Sequence, residues 1–440
     1  MGIILKRNGR VEEAIDSYKK AISLKPDYVQ AYNNLGVLYK DEEDYENAIK
    51  MFTKAKEIQP NHQSSYYNLY LIKKEQGLLN SFQLDKDQVL NKIDAATYHQ
   101  LQGNIEKANK IYTDLSIEHP ENAEILYRKS GFALQLEKFK EAWICYEYRW
   151  QVFPMNRTTR SIEGKPLWKG ERGKRVSVWK EQGIGDDIIF LSLIPEVKEM
   201  CASLSVYVDP RLQSLCRRAM PEINFVEDVE ELQNEECDYH LPLGSVPGLL
   251  RNDISDFDRT VTGYLKADPK RVASIRDELK LDGKTVIGIS WKSSNLEYLI
   301  KSIQLQDMEQ MFTGLDVVLI NLQYGDVDDE IREFKEATGI DVVQCASVDN
   351  REDLDGLAAL IEACDIVIST SNVTVHLAGA LAKETWVLLS YVMVNFWWLL
   401  ERTDSVWYPS LTLYRQPTLN DWDSVYVSIR KDLERKLTKI

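Results

Sequence analysis

The stretch YNNLGVLYKDEEDYENAIKMFTKAKEIQP, Tyr32 to Pro60, decides the first part of the fold. Tyr32, Leu35, Gly36, Tyr39, Ala48, Phe52, Ala55 and Pro60 fall where the two helices of an antiparallel hairpin must interlock. Small residues let such helices approach closely, and aromatics fill the groove beside them. Working upstream, Ala14, Tyr18, Ala21 and Pro26 repeat Ala48, Phe52, Ala55 and Pro60 at an interval of 34 residues. Working downstream, Ala108, Tyr112, Pro120 and Ala142, Tyr146, Pro154 form another pair 34 residues apart.

A 34-residue helical-hairpin period is that of tetratricopeptide (TPR) repeats, a protein-docking array. Any single Ala or Tyr here reads as ordinary helical core; four copies in one phase read as a stack. From Pro60 to Pro120 the interval is 60 residues, so the copy containing Tyr66, Leu69 and Gly77 is expected to be shortened. The first copy is also incomplete, since Gly2 already holds the place of the mid-helix glycine and Ile4 and Leu5 would lack a neighbour. That end is expected to be covered by chain upstream or by another molecule, a homo-oligomer contact included. The array leaves open whether its partner is a peptide, another protein or a second copy.

The 440 residues correspond to about two to four domains, and 44% apolar residues is enough to build full cores. With 54 Lys and Arg against 69 Asp and Glu, the formal charge of −15 repels phosphate backbones and anionic lipid. No basic run overrides it, so nucleic acid is not an expected partner. No segment approaches the roughly 18 apolar residues of a membrane span, and Met1 to Leu5 is too short for a signal peptide. A cytoplasmic protein is expected. Cys145, Cys201, Cys216, Cys237, Cys345 and Cys364 lack CxxC spacing, which points to reduced, mostly buried thiols.

The grammar changes after Pro154. Residues 1–154 read as the repeat domain and 155–173, rich in turn formers from Met155 to Gly173, as a linker. Strands and helices then alternate. Strand Val176 to Trp179 leads through a glycine loop to a helix from Ile188 to Met200. Strands Leu204 to Val208, Ile223 to Val226 and Asp238 to Leu243 follow, with a helix from Pro210 to Met220. The pattern restarts at Thr285, with strands at Val286 to Trp291, Val317 to Leu322, Ile366 to Ser369 and Trp386 to Leu389. Helices are expected at Asp307 to Phe312, Asp328 to Thr338, Leu354 to Cys364, Val375 to Leu381 and Trp422 to Leu437. The fold class is α + α/β: a repeat array followed by two Rossmann-like domains, 174–270 and 271–440, paired as in the GT-B glycosyltransferases.

Two strand-to-helix loops carry the chemical signal. In EQGIGDD, Glu181 to Asp187, Gly183 and Gly185 permit a tight turn that brings backbone N–H groups and a carboxylate to the sheet's carboxyl edge. Helix capping by Asp186 or Asp187 explains the same residues equally well. In STSNVTVHLAGALAK, Ser369 to Lys383, a buried strand enters a turn of Ser369, Thr370, Ser371, Asn372 and Thr374, then a helix of small residues. Hydroxyls, backbone N–H groups and the positive helix end converge there, a site for a diphosphate. His376 in the first turn is either a satisfied structural residue or a donor to phosphate. Lys292, flanked by Ser290 and Ser293 after its strand, is either solvated or the cation that shares the load.

GISWKS (Gly288 to Ser293), NLQYGD (Asn321 to Asp326), LAALIEACDIVISTSNVTVHLAGAL (Leu357 to Leu381) and WYPSLTLYRQ (Trp407 to Gln416) resemble the bacterial tetratricopeptide-repeat glycosyltransferases. That group includes flagellin-modifying enzymes and is distantly similar to lipopolysaccharide heptosyltransferases and O-linked N-acetylglucosamine transferase. The resemblance extends to YEYRW, Tyr146 to Trp150. It implies that Asp186, after Gly185, is the catalytic base, and that Ser371, Asn372, Thr374 and His376 hold the donor's phosphates. Heptosyltransferases usually carry DSG or DTA in that turn, where this chain has Thr370, Ser371 and Asn372. Donor specificity therefore does not carry across.

The expected chemistry is inverting sugar transfer from a nucleotide donor. Asp186 takes the acceptor proton, because an unassisted hydroxyl is a poor nucleophile at neutral pH. Lys292, His376 and the Ser371 to Thr374 amides stabilise the leaving phosphate. No metal and no cofactor beyond the nucleotide sugar is required. Asp326, Asp328 and Asp329 spell a DxD, but Asp256 with Asp258 and Asp353 with Asp355 share the spacing, so helix capping is expected. Phe396, Trp397, Trp398 and Trp407 are expected in the core, with stacking of a sugar or base as the other role. The repeats would dock a protein acceptor, flagellin being the leading candidate. A glycan or lipid acceptor, and an adaptor with a vestigial cleft, are the competing readings.

Overall fold

The structure is a computed structural model that describes residues 10–59, 62, 65, 68–69, 72, 89–152, 164–260, 262–281, 283–293, 302–391 and 396–438. Gly2, Ile4, Leu5, Pro60, Tyr66, Gly77, Pro154 and linker residues 155–163 lie outside the described residues. Of the described residues, those up to Leu115 belong to one compact unit and those from Ser116 onward to a second.

In the first unit, helices α1 (Val11–Leu24), α2 (Val29–Asp41) and α3 (Tyr45–Ile58) follow the repeat register; α4 (Val89–Leu101) comes next, and α5 (Ile105–Glu118) runs across the boundary. Ala14 and Tyr18 of α1 pack on Ala31, Leu35 and Leu38 of α2. A Cβ on Gly36 would stand 2.7 Å from the Phe52 ring, so only glycine lets α2 and α3 interlock there. Asp44 caps α3 by accepting the Asn47 backbone N–H.

The second unit opens with the terminal helical hairpin, α6 (Ala123–Gln135) and α7 (Phe139–Tyr146). Next come β1 (Arg175–Trp179), α8 (Ile184–Leu191), α9 (Ile194–Met200), β2 (Ser203–Tyr207), α10 (Gln213–Ala219), β3 (Asn224–Phe225), α11 (Val229–Asn234) and β4 (Tyr239–Pro242). The helix expected from Ile188 to Met200 is two helices, because Pro195 opens a new one. All pairings are parallel and the sheet order is β3-β2-β1-β4. This is the first lobe.

In the second lobe, α12 (Pro269–Leu279) precedes β5 (Thr285–Ser290), β6 (Val317–Asn321), α13 (Asp328–Thr338), β7 (Val342–Val343) and α14 (Leu354–Ala363). They continue with β8 (Ile366–Thr370), α15 (Val373–Ala380), β9 (Thr385–Leu389), β10 (Leu411–Arg415) and α16 (Trp422–Leu437). The parallel order β10-β9-β8-β5-β6-β7 is the doubly wound arrangement with its reversal between β5 and β8. In the first sheet the reversal lies between β1 and β4. Tetratricopeptide helices followed by a GT-B-type pair of Rossmann-like sheets is thus the architecture.

One apolar core runs through the second unit. Phe139, Ala142, Trp143 and Tyr146 of the terminal hairpin share it with Val178, Ile188 and Phe190 of the first lobe and Leu377, Trp397 and Trp407 of the second. A second core under β5, β6 and β8 gathers Ile287, Trp291, Phe334, Ile368 and Tyr426. All six cysteines are free thiols, and five are buried.

Candidate active site

Open parallel sheets bind ligands where their strand order reverses, outside the carboxyl ends. At the first reversal, Lys180 and Glu181 leave β1 and α8 begins at Ile184, with Gly183 as its N-cap. The loop is therefore shorter than expected, and Asp186 and Asp187 occupy the first helical turn. Both of their N–H groups donate to the Gly183 carbonyl at 3.0 Å. No side chain caps α8, so the capping explanation of the aspartates does not apply. Gly183 has an ordinary φ of −68° and Gly185 is helical, so neither supplies the tight turn expected of it.

The Asp186 carboxylate instead accepts the Trp397 indole N–H, 2.8 Å from Nε1 to Oδ1. Asp187 is fully buried, 3.5 Å from Lys180 Nζ, and burial pushes its carboxyl well above the usual range. Lys180 turns its ammonium to Asp209 at 3.0 Å. At the end of β4, the reversal crevice holds a buried ion pair: Arg149 Nη2 donates to Glu181 Oε1 at 2.8 Å, their side chains 2% and 1% exposed. Arg149 Nη2 also donates to Ser245 at 2.8 Å, and the Gly244 N–H donates to Glu181 Oε2 at 3.3 Å.

At the second reversal, Asn372 is the N-cap of α15, accepting the Thr374 N–H at 3.0 Å. Its amide spans the crevice, donating to Ser290 Oγ at 2.7 Å and to the Lys292 carbonyl at 3.3 Å. Ser371 accepts the Trp398 indole N–H at 2.8 Å, and Thr374 donates to the Leu322 carbonyl at 3.4 Å. His376 Nδ1 lies 3.2 Å from the Tyr408 hydroxyl, its ring stacked on Trp398 with centroids 5.3 Å apart. Lys292 forms an ion pair with Glu330, which also accepts the Trp291 indole N–H at 2.8 Å. Ser371, Asn372, Thr374 and His376 are buried, whereas Val373 and Lys292 are partly exposed.

The two loops meet. A Cβ on Gly185 would lie 3.1 Å from His376 Cδ2, so the absent side chain lets α8 rest against α15. Asp186 and His376, named on separate grounds in the sequence, therefore share one seam. Lys292 stands with the Ser290–Asn372 edge of that seam. The sequence reading missed the hydrogen-bonding roles of Trp397 and Trp398. Both are buried, and neither offers a stacking surface. It also missed the pairing of Arg149 with Glu181. The signal was there in YEYRW: a charged Arg between aromatics at a domain end must find an acid if buried.

Asp328 and Asp329 lie inside the first turn of α13, whose N-cap is Val327 without a side-chain cap bond. They favour the helix dipole and are not caps. Asp353 does cap α14, through the Gly356 N–H, and Asp256 completes a capping box with Asp253. Among the described residues, no group of three or more His, Cys, Asp or Glu is arranged to hold a metal ion. Among them, too, no helix is long and apolar enough to cross a membrane.

Residues 2–42 match the family model described as TPR repeat, and residues 29–62 the one described as Tetratricopeptide repeat. Protein FlbA of Caulobacter vibrioides is 29% identical over 326 residues, 69% of this chain and 54% of that protein. The chain thus spans about half the length of that curated relative. Among solved structures, it is similar to the glycosyl transferase family 9 protein from Veillonella parvula (12% identity, 60% of this chain, 90% of that chain, TM-score 0.41). The ADP-heptose lps heptosyltransferase II of E. coli gives 11% identity, 59% and 99% coverage and a TM-score of 0.38. A mutant O-GlcNAc transferase of Thermobaculum terrenum gives 12% identity, 99% and 89% coverage and a TM-score of 0.31.

Proposed function

We propose that this protein is a glycosyltransferase that moves a sugar from a nucleotide donor to a Ser or Thr hydroxyl of a protein docked by the repeats. The observation that carries the reading is the contact of Gly185 with His376, which sets a carboxylate of the first lobe beside the hydroxyl-lined helix start of the second. In the proposed reaction the acceptor oxygen attacks the anomeric carbon from the face opposite the phosphate. Its proton passes to Asp186, the carbon–oxygen bond to the donor phosphate breaks, and the electron pair leaves on the nucleotide diphosphate. The amino end of α15, with Ser371, Thr374 and His376, meets that growing charge. Lys292 contributes once phosphate competes with Glu330 for its ammonium. The step inverts the anomeric carbon and asks for no metal.

Repeats raise the local concentration of a docked acceptor without touching the reacting atoms. Flagellin is the leading acceptor on the motif resemblance, and the cytoplasm is where both substrates would be met. A second reading, an adaptor without turnover, draws on two specific observations: Asn372 spends its whole amide inside the protein, and Lys292 is already paired.

Incubation with a panel of nucleotide sugars and a co-expressed flagellin, followed by intact mass measurement, separates the readings. Added sugar mass on flagellin is the expected result. Nucleotide binding without transfer to any protein, glycan or lipid acceptor would favour the adaptor.

A further inference from the structure

Trp397 is 3% exposed and enclosed by aromatic rings from three parts of the second unit. Its ring stacks on Trp143 of α7 with centroids 6.2 Å apart and meets Phe190 of α8 edge-on at 5.3 Å. Trp407, from the second lobe, stands edge-on at 6.1 Å, and Tyr146 of α7 at 6.2 Å. A ring held on these sides keeps one rotamer, so the direction of its N–H is fixed. That N–H ends on Asp186 Oδ1. Donor and acceptor belong to opposite lobes, and the terminal repeat hairpin forms the third wall.

We propose that Trp397 is a positioning residue: its indole N–H, delivered from the second lobe, fixes the Asp186 carboxylate in the orientation a general base requires. This rests on the glycosyltransferase reading for its chemistry, and the contact itself stands apart from it. The base is then aligned only while the lobes and the terminal hairpin are packed together. A buried indole needs an acceptor in any case; a backbone carbonyl would serve, whereas this one goes to the carboxylate at the seam.

Among the described residues, the charged and titratable groups near Asp186 include Asp187 on its own turn, Glu181 before it, Tyr146 of α7 backed by Arg149, and His376 and Tyr408 of the second lobe. None of these removes the effect of an N–H donor, which favours the ionised carboxylate.

The test pairs Trp397→Phe with Trp168→Phe, which removes a buried indole bonded to the Glu171 carbonyl, outside the rings around Trp397. In Trp397→Phe, kcat is expected to fall about tenfold with donor KM unchanged, and the acid limb of the kcat/KM profile to move to higher pH. Trp168→Phe is expected to lower Tm while keeping kcat and the limb. Equal losses in both variants, or a Trp397→Phe protein with the wild-type kcat and limb, would overturn the proposal. A readout independent of turnover is the fluorine resonance of 5-fluorotryptophan at position 397, identified by its loss in Trp397→Phe. It is expected to move on Asp186→Asn, and a stationary resonance overturns the contact. A wild-type protein that transfers no sugar, with a resonance that still answers Asp186→Asn, supports the contact and counts against the function.

Discussion

The two parallel sheets end differently at their reversals. Between β1 and β4 the crevice is filled by the chain itself, with the Arg149–Glu181 pair sealed at 2% and 1% exposure. Between β5 and β8, among the described residues, Asn372 closes the gap with neutral hydrogen bonds to Ser290 and to the Lys292 carbonyl beneath the start of α15. A crevice plugged by a guanidinium and a carboxylate cannot admit a diphosphate without breaking a desolvated ion pair. The comparison teaches that matching topology does not mean matching use. On the proposed function, the first lobe would offer its chemistry one turn further along, on α8, and the second would hold the anion.

Substitutions at four positions sharpen or break this division. Asp186→Asn should lower sugar transfer by about 10²- to 10⁴-fold while nucleotide affinity holds, as measured by coupled release of nucleoside diphosphate and by calorimetry. Equal loss of affinity would place the nucleotide in the first lobe. Arg149→Ala strips a buried carboxylate of its partner and should cost about 3–5 kcal/mol in denaturant unfolding of the second unit. A cost near zero would mean that the crevice is open to water. Asn372→Ala loses the cap of α15 and should cost about 1–2 kcal/mol, with weaker nucleotide binding. Asn372→Ser keeps a capping oxygen without setting a carboxylate against the Lys292 carbonyl and should recover part of the stability; equal stability of the two variants would remove the cap from the account.

The smallest effect is a pH dependence confined to the first lobe. Burial opposes ionisation of Asp209, yet hydrogen bonds from Arg211 and Lys180 outweigh it and hold the carboxyl at about 2, against an ordinary 3.8. A carboxyl depressed on folding contributes stability that is whole above its unfolded value and is lost as pH falls from 3.8 through about 2. Asp187 has the opposite sign: its raised value means a contribution present at low pH and lost as pH rises. Asp209→Asn should therefore flatten the fall of Tm below pH 3.8, and an unchanged slope would argue against these ion pairs.

Much of this was legible in the sequence because it depends on local patterns. The helix Asp328–Thr338 and the terminal helix Trp422–Leu437 match the reading residue for residue, since charge and apolar period agree along their whole length. Strand β10 was quoted as a motif, LTLYR, yet not read as a strand, and β7 has only two residues. Pairing of that kind is set by a neighbouring strand. At the site, Asp186 and His376 were legible as types at helix starts. Their shared seam was not, because the Gly185 contact spans 191 positions and depends on how two lobes pack. The identity of the Asp186 partner was equally out of reach: Trp397 reads as core until its N–H is traced.

The central claim is that a nucleoside diphosphate sits at the amino end of α15. Val373, partly exposed at the first position of that helix, gives the most direct test. Glutamate there complements the helix dipole and preserves Tm, yet it repels a phosphate placed on the same N–H groups. Calorimetric titration of wild type and Val373→Glu with UDP, ADP, GDP, CDP and CMP should show saturable heat for at least one diphosphate with the wild type. That affinity should fall about tenfold or more in a variant of unchanged Tm. No heat from any nucleotide, or equal affinity in both proteins, would contradict the claim.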